Sequence, residues 1–76
     1  MVRAYIMVKA NTGEADRLKS SIEALDGVRD AHIVAGDVDI IATVDVDTPA
    51  DVKEVAATGI QGVSGVEDTQ TYVAME

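Results

Sequence analysis

The sequence predicts a small α+β domain, a four-stranded antiparallel sheet with two helices on one face, in the order β-α-β-β-α-β. Three observations carry this. Residues 2–9 alternate strictly between two sets of side chains. Two helix-start signals, Asn11-Thr12-Gly13-Glu14 and Thr48-Pro49-Ala50-Asp51, each follow a strand-like run. A faint internal repeat, Gly27-Val28-Arg29-Asp30 and Gly65-Val66-Glu67-Asp68, divides the chain into two related halves, each a helix followed by a strand. This is a recurrent supersecondary arrangement, the split βαβ.

In residues 2–9, Val2, Ala4, Ile6 and Val8 point one way while Arg3, Tyr5, Met7 and Lys9 point the other, the period-2 mark of a strand with one buried face. Asn11 or Thr12 is expected to cap the first helix, whose apolar stripe is Ala15, Leu18, Ile22 and Leu25 and whose end is marked by Gly27. Residues 28–35 and 38–46 read as a second and third strand joined at Gly36-Asp37, with Val38, Ile40, Ala42 and Val44 on the core side. Thr48 caps the second helix, Pro49 takes its first position and Asp51 completes a capping box. Val52, Val55 and Ala56 face the core, and Gly59 ends this helix. Residues 60–65 form a glycine-rich loop before the last strand, 66–75.

With both helices on one side of the sheet, the other side carries Tyr5, Met7, Ile41 and Thr43. This is an apolar patch that a chain of 76 residues gains by hiding. Dimerisation through that face is expected, against the alternative of an ordinary half-wet sheet.

Composition excludes several functions. The chain has no Cys, so disulfides, thiolate metal sites and Cys nucleophiles are ruled out. Fourteen acids against six bases give a net charge of −8, spread along the chain, with two aromatics, both Tyr. Such a surface repels phosphate backbones, so neither nucleic acid nor an anionic membrane is an expected partner. It suits a salt-rich cytoplasm, as in a halophile. No apolar run reaches the roughly 20 residues of a membrane span, and the N-terminus alternates too strongly for a signal peptide. His32, the one histidine, reads as an exposed strand residue. Asp45, Asp47 and Asp51 lack the spacing of a calcium loop, Ser20, Ser21 and Ser64 have no nearby base, and the Gly pairs near residue 62 lack a P-loop Lys. Neither a metal, a cofactor nor an enzymatic activity is expected.

The segments AYIMVKA, LDGVRDAHIVAGDVDIIATV, TPADVKEVA and GVSGVEDTQTYVA together resemble the effector-binding (RAM) domain of the Lrp/AsnC family of feast/famine regulators. The hairpin from Val34 to Asp39 is similar to the family's pattern of Gly, a variable residue, an aromatic and Asp. Gly65-Val66 with Thr69 and Thr71 is similar to its Gly-Val…Thr-x-Thr ending. Val38 stands where the family often has Tyr or Phe, and the family's N-terminal helix-turn-helix is absent from these 76 residues.

The resemblance implies a ferredoxin-like fold in a stand-alone RAM domain, and with the acidic surface it points to a halophilic archaeon. It implies a homodimer assembling into tetramers or octamers, an amino acid or related metabolite bound in clefts between dimers that the hairpin and neighbouring segments line, and full-length regulators as further partners. On that reading Gly36, Asp37, Asp39, Thr69 and Thr71 are the candidate ligand-binding residues. Asp39 either accepts from a ligand's ammonium group or accepts backbone N–H bonds that pin the hairpin. Asp37 also suits a plain turn, and the threonines a plain strand. A pure assembly partner without a metabolite, and a small enzyme relying on His32, are the competing readings.

Overall fold

The computed structural model describes residues 1–10 and 13–75. The elements are β1 Val2–Ala10, α1 Ala15–Glu23, β2 Val28–Ile33, β3 Ile40–Val46, α2 Pro49–Lys53 continued by a π-helix Glu54–Ile60, and β4 Val66–Val73. The sheet order is β2-β3-β1-β4 with every neighbour antiparallel. Each helix therefore links two strands that run parallel with a third between them, which interleaves the two halves. This is the ferredoxin-like α+β fold.

The alternation of β1 sorts its side chains as expected. Ala4, Ile6, Val8 and Ala10 are buried on the helix side, with Ile40, Ala42 and Val44 of β3 beside them. Leu18 and Ile22 of α1 and Val52, Val55, Ala56 and Ile60 of the second helical segment cover them. Seven large side chains, Ile6, Val8, Leu18, Ile22, Ile40, Val44 and Ile60, are completely buried. At about 1.5–3 kcal/mol each this is a thin core once chain entropy is set against it.

Several boundaries differ from the sequence reading. Asn11 and Thr12 lie outside the described residues; the residue at the N-cap of α1 is Glu14, whose side chain caps nothing and instead bonds Arg17 at 2.9 Å. Thr48 caps α2 as expected, its Oγ1 accepting from the Asp51 N–H at 3.2 Å. The second helix runs past Gly59 to Ile60 because it widens into a π-helix, with the Gln61 N–H reaching the Ala56 carbonyl at 3.1 Å. Strand β2 ends sooner and β3 begins later than expected, and β4 stops at Val73. Val38 is consequently off the strand and half-buried rather than in the core.

The sequence repeat is also a structural repeat. Gly27 and Gly65 hold φ of 92° and 103°, the left-handed region open to glycine. The next N–H, of Val28 or Val66, bonds back three residues to Leu25 or Val63 at 3.2 Å in both copies. A bulge follows each time. Val28 and Asp30 pair with adjacent residues Val44 and Thr43, leaving Arg29 unopposed. Val66 and Asp68 pair with Ala10 and Lys9, leaving Glu67 unopposed.

The face away from the helices carries Tyr5 beside Thr43 and Met7 beside Ile41, directly paired across β1 and β3 and all half-buried. Tyr72 of β4 lies on the other side of Tyr5 and is 55% exposed. At one end, the Asp45 carboxylate takes a two-pronged bond from Arg3, at 2.8 and 3.1 Å, and a third from Arg29 at 3.3 Å. Those bonds engage the one acid of the Asp45, Asp47, Asp51 series that lies on a strand.

Candidate functional site

The hairpin between β2 and β3 is fastened to the end of β1 by one residue. The Asp39 N–H donates to the Val8 carbonyl at 2.9 Å, and the Asp39 carbonyl accepts from the Val34 N–H at 2.9 Å, closing the hairpin. The Asp39 carboxylate then accepts the Ala10 N–H at 2.9 Å. The β1–β3 pairing stops at Val8 and Ile40, so the Ala10 N–H, on the same edge of β1 as the Val8 carbonyl, needs a partner from outside the ladder. A bond to a charged acceptor of this kind contributes about 1.5–3 kcal/mol.

This attachment carries the hairpin tip across β1 toward β4. The result is a pocket of about 270 Å³ lined by Met7 and Lys9 of β1, Asp37 and Val38 of the tip, and Asp68, Thr69 and Gln70 of β4. The walls mix charged and polar residues with the apolar Met7 and Val38, and no His, Cys or Ser lines them. Lys9 and Asp68 are cross-strand partners, yet among the described residues Lys9 enters no ion pair.

Of the residues singled out in the sequence, Asp37 and Thr69 come together here. Asp39 lies behind the pocket, with its carboxylate on Ala10. Gly36 is exposed at the tip, and a Cβ there would meet nothing within 4 Å. Thr71 is on the helix side opposite Ile6 and does not line the pocket. The Thr69 hydroxyl is on that side too, accepting from Gln61 Nε2 at 2.9 Å. Lys9, Asp68 and Gln70 escaped the sequence reading. Only the antiparallel register of β1 on β4 places them opposite the hairpin. His32 is exposed as expected, its Nε2 3.5 Å from Asp30 Oδ1.

Residues 3–76 match the Lrp/AsnC ligand binding domain family. The chain belongs to that family. It is 30% identical over 70 residues to the leucine-responsive regulatory protein of Haemophilus influenzae, covering 92% of this chain and 42% of that protein. Identity to the Escherichia coli leucine-responsive regulatory protein is 25% over 75 residues, 95% of this chain and 46% of that one. The chain thus spans less than half the length of these curated relatives. A solved structure from Thermus thermophilus superposes with a TM-score of 0.95 at 26% identity, covering 100% of this chain and 95% of the other. Both curated relatives are named as leucine-responsive regulatory proteins. Among the described residues no helix is long and apolar enough to cross a membrane.

Proposed function

We propose that this Lrp/AsnC domain senses an amino acid or a closely related metabolite at the hairpin–β4 pocket and couples its occupancy to assembly of the domain. The observation that carries the reading is the convergence of the hairpin tip and β4 on one pocket, Asp37 from the tip meeting Asp68 and Gln70 from β4. A relative that is named as leucine-responsive supports an amino acid as the ligand. The lining offers charges and hydrogen bonds but no nucleophile with a base beside it, so it suits binding rather than catalysis. In this reading Asp39 acts on the ligand indirectly, by holding the tip in place.

Assembly is assigned to the open face of the sheet. Tyr5, Met7, Ile41 and Thr43 form its half-buried centre, and the thin core favours a second copy. Charge supports the same surface. Arg3, Lys9 and Arg29 offset three of the four acids Asp30, Asp37, Asp45 and Asp68 there, so most of the described chain's excess of acid lies on other surfaces. Two copies can therefore meet on this face with less repulsion than elsewhere. Met7 belongs both to this face and to the pocket, so a docked copy would wall the pocket on one side. That is the link between ligand and assembly, and the acidic outer surface leaves DNA contact to other protein.

The alternative is a domain that only joins full-length regulators and binds no metabolite. Val38 favours it, because the pocket has a valine where the family often has an aromatic wall. A thermal-melt screen against the common amino acids, with light scattering on each hit, separates the two. A ligand that raises the melting temperature binds the native state. A change in particle size with that ligand supports a sensor, and oligomers indifferent to every amino acid support the assembly partner.

A further inference from the structure

The charges around the pocket are unequal in number. One cation, Lys9, stands among two anions, Asp37 and Asp68. Asp68 Oδ1 accepts its neighbour Thr69's N–H at 2.9 Å, which fixes the carboxylate, and among the described residues Oδ2 takes no hydrogen bond. A ligand with one carboxylate and one ammonium group would leave an anion unmatched, whereas one with a second cationic group would match all three. The net charge of −8 acts the same way, concentrating cations near the chain and repelling anions.

Resting on the sensing reading above, we propose that the pocket selects a basic amino acid, with Lys9 holding the ligand's carboxylate and Asp37 and Asp68 its two cationic groups. Met7 and Val38 are the apolar linings and suit the short methylene stem between those groups.

Three probes separate the contributions: L-lysine, L-norleucine, which lacks the side-chain ammonium, and cadaverine, which lacks the carboxylate. Melting temperatures are measured at fixed ionic strength in wild type, Lys9→Met and Asp68→Asn. Asn keeps the oxygen that Thr69 uses, and Lys9 is exposed, so both variants fold. L-lysine is expected to stabilise wild type with an apparent affinity at least ~tenfold above either analogue, the effect of one lost charged contact. Lys9→Met is expected to erase the preference over cadaverine, and Asp68→Asn the preference over norleucine.

If norleucine or leucine stabilises as well as lysine, the selectivity is wrong while sensing stands. If cadaverine matches lysine in wild type, the acidic surface is binding cations generally and Lys9 has no such role. If no amino acid shifts the melt, the sensing reading falls and this one with it.

Discussion

The carboxylate of Asp39 holds the backbone N–H of Ala10 at 2.9 Å, tying the tip of one hairpin to the end of a strand 29 residues away. Removing that acceptor leaves a part-buried N–H unpaired. Asp39→Ala should lower stability by about 1–3 kcal/mol in urea unfolding, with Asp39→Asn, which keeps an acceptor, costing less. Equal losses for both variants would mean that the bond is not what holds the tip.

Gly27 combines a φ of 92° with crowding, since a Cβ would come within 2.9 Å of Val55 Cγ2 and 3.0 Å of Val46 Cγ1. Gly27→Ala should cost about 2 kcal/mol or more, from left-handed strain and overpacking together. Gly36→Ala meets open space and should cost less. The comparison needs only two melting curves.

Two carboxyls are held below their ordinary range. Asp45 is lowered chiefly by its bond to Arg3, against some desolvation, and Glu23 chiefly by its bond to Lys19 at 3.0 Å. A carboxyl with a depressed folded pKa contributes stability above its unfolded pKa and loses it as pH falls through the folded one. The urea midpoint should therefore hold near neutral pH and fall below about pH 4. Asp45→Asn should flatten that fall, and an unchanged slope would remove Asp45 from it.

On the open face, Ile41→Lys places a cation at the centre of the proposed contact without touching the helix-side core. Light scattering should show a smaller particle with an intact fold by circular dichroism. In wild type, assembly should tighten as salt screens the acidic outer surfaces. Dissociation at high salt would argue against the face-to-face contact.

Much of this fold was legible because its signals are local. The alternation of β1, the Thr48-Pro49 helix start and the Gly27 and Gly65 repeat each sit within a few residues. The repeat meant more than its four positions suggested, marking a left-handed glycine and a bulge each time. The candidate site was less legible. Asp37 and Thr69 were within reach of motif reasoning, but Lys9 joins them only through the sheet register. The role of Asp39 depends on the β1–β3 ladder stopping at Val8, which leaves the Ala10 N–H without a strand partner, and nothing near Asp39 in sequence announces it. The π-helix likewise leaves no local signal beyond Gly59, where a Cβ would crowd Leu25 Cδ1 at 3.3 Å.

The most direct test of the sensing site is amide chemical-shift mapping during titration with an amino acid that raises the melting temperature. Shifts concentrated at Lys9, residues 37–39 and residues 68–70 are the expected result, with slower changes across Tyr5, Met7 and Ile41 if occupancy alters assembly. Saturable shifts that leave those residues untouched and gather elsewhere would contradict a ligand site at the hairpin and β4.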